Sequence, residues 1–466
     1  MLRTLPPFRK FVSQITTLQQ KLNAAENENT RLEAKLVETR LSAGTEKLWV
    51  PTGHFYSPIP SLDLIEADSE NIFEIPPAIR GVNLNVNRQL ELLEAFRKLY
   101  PEQPFTPAKT ASRRYFFDNP NYSYGDGIAL YCMIRHLRPR RIIEVGSGYS
   151  SAAMLDVNEL FFNNSIACTF IDPYPQLMRS LLKNGDRERI RIIGQKVQDV
   201  DANMFRELDE SDILFIDSSH VSKTGSDVNY IVFKILPLLK QGVYIHIHDI
   251  SYPFEYSTDW IREGRSWNET YLMRAFLQYN RTFDIEYFSS YLMHFHRDVF
   301  EMGLPLCLKN EGGHLWLKKA IQDPTLDRVS APLTRKPKPV PVELNPSRPE
   351  LRWLLGEGWH DGEGDHCWIE NRAEFRIAGP TSTGQQLRIQ VDNPHRDGAN
   401  LSVTIDSVQL SPVHFSRAGR VEAQFSLPAA FVGRPELRVE LTVDKIHFAP
   451  NDARKLAMSV IHMEVR

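Results

Sequence analysis

Arg141-Ile142-Ile143-Glu144-Val145-Gly146-Ser147-Gly148-Tyr149-Ser150-Ser151 reads as a buried strand that breaks into a glycine turn and then a helix. Ile142, Ile143 and Val145 are the β-branched residues that a central parallel strand, covered on both faces, requires. Gly146 and Gly148 let the main chain approach a ligand with no side chain in the way. Ser151 stands where a dinucleotide fingerprint carries its third small residue, so the pattern is G-x-G-x-x-S. Alone, that pattern serves an ordinary strand-to-helix turn equally well. The next strand, Ala167-Cys168-Thr169-Phe170-Ile171, ends in Asp172, where the fingerprint places an acceptor for ribose hydroxyls. Asp212 to Ile216 leads into Asp217-Ser218-Ser219-His220, and Gly242 to Ile247 leads into His248-Asp249, so polar residues again close apolar strands. Open α/β sheets bind their ligands at that carboxyl edge.

Strand and helix patterns alternate from Arg141 to about Lys319, which predicts an α/β fold with right-handed crossovers and a parallel sheet. A third strand is expected at Ile190–Ile193, a sixth at Phe283–Phe288 and a seventh at His314–Leu317, after the Gly312-Gly313 turn. Glu144, the Gly146-x-Gly148 turn, Asp172 and the ordered strands resemble the class I S-adenosylmethionine-dependent methyltransferases over residues 120–320. The resemblance implies a seven-stranded Rossmann-like methyltransferase sheet and S-adenosyl-L-methionine as cofactor. It also implies a cofactor site of Tyr124, Glu144, Gly146, Ser147, Gly148, Asp172, Asp199 and Asp217. In that family the Glu144 position holds the methionine part, Asp172 the ribose, and an acidic residue such as Asp199 lies near the adenine amine. Tyr122 and Tyr124 precede a helix expected at Ile128–His136, where aromatic residues either cover the cofactor or pack the loop.

Metal-dependent O-methyltransferases of this fold bind magnesium with an Asp after the fourth strand and an Asp-Asx pair after the fifth. Asp217, His248 and Asp249 occupy those positions, so the resemblance implies a divalent metal, Mg or Mn, held by these three. Histidine is a poor magnesium ligand. Three readings therefore stay open: another metal, binding by the aspartates alone, or no metal with His220 or His248 as base. The metal is the expected one, with histidines orienting the aspartates. The catalytic residues are expected, as a group, to be Asp217, His220, His248 and Asp249. The aromatic insertion after the fifth strand, with Tyr252, Trp260, Arg262 and Trp267, is expected to bind the acceptor, since rings and planar polar groups suit a sugar. A helical cover over the sheet is the plainer alternative.

At 466 residues the chain is too long for one core. A net charge of -3 gives no reason to expect a nucleic-acid partner. Cys132, Cys168, Cys307 and Cys367 form no C-x-x-C pair, which argues against a disulfide framework or structural zinc and fits a reduced, cytoplasmic setting. No apolar run spans a bilayer and no signal peptide is legible, so membrane contact is expected only peripherally at the inner membrane, through partners. Within residues 8–45, Phe11, Ile15, Leu18, Leu22, Ala25, Leu32 and Leu36 form a heptad seam with Asn29 at an a position. This predicts a coiled coil and a homo-oligomer, dimer or trimer. Residues 46–119 read as a connector and cap, 120–320 as the methyltransferase domain, 321–349 as a proline-rich linker, and 350–466 as an antiparallel β-sandwich. Gly358-Trp359-His360-Asp361, Glu363, Trp368 and the stretch from Phe448 to Leu456 resemble sandwich modules attached to bacterial polysaccharide glycosyltransferases. Such a module either binds glycan or serves packing and dimerisation.

Together these features lead us to expect an O-methyltransferase for a sugar hydroxyl of a bacterial surface polysaccharide, O-antigen or capsule, capping chain growth beside assembly glycosyltransferases. A methyltransferase for a small glycosylated metabolite and a non-catalytic scaffold on the same fold are the alternatives.

Overall fold

The computed structural model of the protein describes residues 49–322, 339–448, 452 and 454–466. The heptad segment, 8–45, lies outside them, as does the middle of the proline-rich linker. The chain divides into two compact units, Met1–Ile72 and Phe73–Arg466. The described part of the first carries two short helices, Leu62–Ala67 and Ser69–Ile72, and a stack of Trp49, His54, Phe55 and Tyr56 rings.

The second unit begins with helix α1 (Val86–Leu99) and helix α2 (Tyr124–Leu137). It continues as β1 (Arg141–Val145), α3 (Tyr149–Phe162), β2 (Ala167–Ile171), α4 (Gln176–Leu181), β3 (Arg191–Ile193), β4 (Ile213–Ile216), β5 (Tyr244–His248), α5 (Glu269–Leu277), β6 (Phe283–Phe288) and β7 (His314–Lys319). The seven strands form one sheet in the order β3-β2-β1-β4-β5-β7-β6. The sheet is parallel from β3 to β5, but β7 runs antiparallel between β5 and β6, which corrects the expectation of a wholly parallel sheet. The reversed strand can enter between β5 and β6 because antiparallel neighbours are joined at the same end of the sheet and need no crossover.

The strands bury apolar residues on both faces, and all four residues of β4 are buried. Leu92, Leu93 and Phe96 of α1 and Tyr115 and Phe117 join the same core. Residues of the 46–119 stretch from Ile79 onward thus pack into the core of the seven-stranded domain, as a cap would. α2 begins at Tyr124, four residues before the expected start, despite two glycines in its first turn. A Cβ at Gly125 would lie 2.4 Å from the Asn310 carbonyl oxygen, and one at Gly127 would lie 2.2 Å from the Tyr115 hydroxyl. Close packing therefore imposes the glycines that propensity disfavours.

A second core lies between two C-terminal antiparallel sheets. One sheet runs Gly419–Ser426, Gln386–Asn393, Met458–Val465, His366–Ile369, Trp359–Glu363; the other runs Arg372–Ile377, Leu437–Val443, Ala399–Ile405, Val408–Gln409. Leu344, fully buried, pairs with Met463, so the linker ends before residue 349 and its last residues belong to the sandwich. Trp359 is core, its indole N–H donating to the Glu374 carbonyl. Among the described residues no helix is long and apolar enough to cross a membrane.

Candidate active site

The glycine turn sits where β1 meets α3. Gly146 has φ +83°, and a Cβ there would come within 1.9 Å of the Asp217 carbonyl oxygen, so only glycine lets the β1 and β4 ends meet. Asp217 N–H in turn donates to the Val145 carbonyl at 2.8 Å, continuing the parallel ladder into the site. Asp172 closes β2 and accepts from Ser147 N–H at 2.9 Å, Ser147 Oγ at 2.7 Å and Tyr174 N–H at 2.7 Å. These bonds hold the carboxylate over the turn. Burial, opposed by those donors, keeps its pKa above the usual value.

Glu144 faces the interior. It is fully buried and accepts from Ser150 and Ser151 hydroxyls at 2.5 Å each, so it braces the turn from behind and acts on any ligand only through that turn. Burial pushes its pKa up to about 8 in spite of the two hydroxyls. A carboxyl whose folded pKa lies above its unfolded value stabilises fully below the unfolded value, about 4.3, and that contribution is lost as pH rises through about 8. Glu144→Gln should therefore gain stability relative to wild type on going from pH 5 to pH 8, by on the order of a few kcal/mol. Urea melts at the two pH values measure this, and parallel pH profiles for the two proteins would refute it.

The remaining candidates gather at the ends of β4 and β5. His220 is 5% exposed, and its Nδ1 lies 2.9 Å from Glu269 Oε2. Its Nε2 stands 3.3 Å from Asp217 Oδ1 and 3.6 Å from Asp249 Oδ2. The backbone N–H groups of Asn268 and Glu269 both donate to the His220 carbonyl, which locks α5 onto this residue. Burial alone would lower the imidazole pKa, but the hydrogen bonds of Asp217 and Glu269 and the charge of Asp249 raise it to about 10. His220 is thus an imidazolium at neutral pH, its two ring N–H groups turned to Glu269 and Asp217 with the Asp249 charge nearby, and it holds its proton too firmly to be a base there. His248 Nε2 lies 3.5 Å from Asp249 Oδ1, and burial pulling its pKa down is outweighed by the charges of Asp249 and Asp217.

The two aspartates diverge. Burial raises Asp249, whereas in Asp217 the same burial is overcome by the charge of His248 and the hydrogen bond from His220, so its pKa is lowered. Such divergence of neighbouring carboxyls is how one fold separates a permanent anion from a proton acceptor. His220 and Asp249 both have left-handed backbone, φ 57° and 54°. Non-glycine residues in that region are uncommon and cluster at functional sites.

Tyr124 lies in the first turn of α2 rather than in a loop, stacked on Phe117 and donating to Asp118 at 2.9 Å. Tyr122 is the one beside the site, its ring 5.3 Å from that of His248 and its buried hydroxyl without a partner among the described residues. Asp199 ends the short turn after β3 and is half-buried. Tyr252 is core, packed on Phe288 and Tyr291 and bonded to the Pro76 carbonyl, so it is not available to an acceptor. Arg262 is on the surface, near Asp259. Trp267 packs 4.4 Å from the His220 ring and 5.2 Å from Trp260. Arg265, which sequence reasoning did not single out, has its guanidinium 4.7 Å from Trp260 and 4.9 Å from Trp267.

The metal set is where the structure departs from expectation. Among the described residues no group of three or more His, Cys, Asp or Glu side chains is arranged to hold a metal ion. Asp217 instead lies 3.3 Å from His220 Nε2, with Asp249 3.6 Å from the same nitrogen and felt as a charge, and the third expected ligand offers nitrogen to an ion that prefers oxygen. The donor set does not fit magnesium.

Residues 143–250, which carry the glycine turn and both strand-end aspartates, match the model of a methyltransferase domain, so the chain contains such a domain. Over 168 residues it is 38% identical to an uncharacterized protein of Archaeoglobus fulgidus, a match spanning 34% of this chain and 74% of that protein. The chain belongs to the family of that archaeal protein. Among solved structures it is similar to the SAH-bound methyltransferase PaMTH1 of Podospora anserina, at 17% identity over 52% of this chain and 93% of that one, with a TM-score of 0.26. It is also similar to the carbohydrate-binding module CBM36 in complex with calcium and xylotriose, at 10% identity over 24% of this chain and 92% of that one, with a TM-score of 0.17. At those scores neither likeness bears on ligand or activity.

Proposed function

We propose that this protein is an S-adenosylmethionine-dependent O-methyltransferase acting on a sugar hydroxyl of a surface polysaccharide of O-antigen or capsule type. The observation that carries the reading is the cluster of Asp217, His220 and Asp249 at the carboxyl edge of the sheet, beside the turn fixed by Gly146. The cofactor, when bound, supplies an electrophilic methyl group on a positively charged sulfur. Asp172 fits it: three of its roughly four acceptor positions are filled by Ser147 and Tyr174, which leaves one for a ribose hydroxyl. The Gly146-Ser147-Gly148 turn offers bare backbone at the same edge.

A hydroxyl acceptor must lose a proton as its oxygen is methylated. Asp249, the carboxyl with the raised pKa and 18% of its side chain exposed, receives it in this reading. Asp217, its pKa held low, stays ionised and would favour a positively charged ligand at that edge. His220, oriented by Glu269, keeps its positive charge beside both carboxylates. Trp267, Trp260 and Arg265 supply rings and a planar donor against which a sugar can lie. No step is assigned to a metal.

The test is calorimetric titration with S-adenosylmethionine, followed by incubation with methyl-labelled cofactor and surface polysaccharide. Asp172→Ala should weaken cofactor binding by roughly a hundredfold, the loss of a hydrogen bond to a charged acceptor together with the turn that it holds. Label should enter the glycan, with or without chelator. Unchanged affinity in Asp172→Ala sinks the cofactor site; a chelator-sensitive transfer restored by magnesium sinks the metal-free reading.

A further inference from the structure

The methyltransferase domain and the sandwich meet around a cleft of about 1190 Å³, larger than the roughly 300–1,000 Å³ usual for a small-molecule site. One wall is the sheet edge at β3, continued by Gly194, together with the segment from Pro173 to Arg179 that follows Asp172. The other wall comes from the turn Pro349–Leu354 and from strands Arg372–Ile377 and Leu437–Val443. Arg179 and Arg187 both reach across to Glu357, at 3.4 and 3.3 Å, and tie the domains together beside the opening. Asp217, His220 and Asp249 line no part of it.

The lining sets Arg179, Arg191, Arg352, Arg376 and Arg438 against Glu357, Glu374, Asp406 and Glu440, a net charge of one positive. Glu374 and Glu440 are engaged by Arg372, and Asp406 by Arg434, arginines that stand outside the lining. Arg191, at the start of the edge strand, has no carboxylate partner among the described residues, whereas Arg376 and Arg438 share Glu436, outside the lining, at 3.5 and 3.9 Å, with 82% of the Arg438 side chain exposed. The cleft is therefore net positive, yet it keeps carboxylate oxygens within reach as acceptors. Trp353, half-buried, adds a ring whose centroid lies 5.3 Å from the Arg376 guanidinium. Arginines recognise sparse carboxylates through paired donors. Carboxylates accept from sugar hydroxyls but repel a ligand with a charge at every unit.

We propose that this cleft binds an acidic oligosaccharide segment and serves as a holding site for the polymer whose hydroxyl is methylated at the other edge. The assignment rests on the polysaccharide reading above. Because α4 places Leu177 against Gly148 and Arg179 against Glu357, the same short helix contacts both sites.

Full-length protein titrated with oligogalacturonate should bind it, and should bind neither a neutral cello-oligosaccharide nor polyphosphate. The double variant Arg191→Ala/Arg438→Ala should weaken oligogalacturonate roughly tenfold or more, with S-adenosylmethionine affinity unchanged. No binding of oligogalacturonate, equal binding of polyphosphate, or unaltered affinity in the double variant overturns the proposal. Oligogalacturonate binding that depends on the two arginines, in a protein that transfers no methyl group to polysaccharide, would leave this site standing and remove the acceptor assignment alone.

Discussion

Asp249→Asn should lower turnover by roughly 10²–10⁴-fold while leaving cofactor affinity nearly unchanged, because it removes a proton acceptor and little else. Asparagine is nearly isosteric and tolerates the left-handed backbone that Asp249 adopts at φ 54°. The aspartate's nearest donors, His220 Nε2 at 3.6 Å and His248 Nε2 at 3.5 Å, stand at the long end of hydrogen-bond reach, so few native bonds are lost. The loss should fall on kcat rather than KM, as expected for an interaction used only as the proton leaves. Turnover within tenfold of wild type would reject Asp249 as the acceptor. His220→Gln should cost less, because the glutamine amide can still donate to Asp217 although it lacks the imidazolium charge.

Arg114→Met should destabilise the methyltransferase domain by about 3–5 kcal/mol, the range for removing one partner of a buried ion cluster. Arg114 is 3% exposed and donates to Asp186 at 2.5 and 2.8 Å and to Asp156 at 2.7 Å, with Glu159 also at 2.7 Å. Its main-chain N–H and that of Tyr115 add two further bonds to Asp156, 2.8 and 2.9 Å. Methionine fills the space but strands Asp156 and Asp186 in a region that excludes water. Chemical denaturation should show the loss, and Arg114→Met/Asp156→Asn should recover part of it. A deficit below about 1 kcal/mol would mean that the cluster contributes position rather than stability.

Those two sites divide what the sequence made legible from what it did not. β1, β2 and β6 were legible to the residue, since apolar runs between turn residues mark buried strands. The reversal of β7 was not, because hydrophobic periodicity carries no direction. The strand pair Trp359–Glu363 and His366–Ile369 carries no strand signature, because a polar edge hairpin lacks an apolar run. Glu269 meets His220 across 49 residues and Arg114 meets Asp186 across 72, separations at which no local pattern operates. A glutamate opening a helix, as Glu269 opens α5, was the one local sign, and it is shared by many helices that contact nothing. The strand-end aspartates were legible, but the imidazolium beside them depends on burial and on the third carboxylate.

The antiparallel seventh strand also governs how the protein can be cut. A fragment ending at residue 250, where the match to a methyltransferase domain stops, would keep Gly146, Asp172, Asp217, His220 and Asp249. It would lose the partner that pairs with β5 from Tyr244 to His248 and would leave that fully buried strand as a bare apolar edge. Exposed edges of this kind template intermolecular pairing. A well-behaved fragment of the methyltransferase domain must therefore run past Lys319, and shorter versions should be recovered as aggregates, whatever strand-end residues they retain.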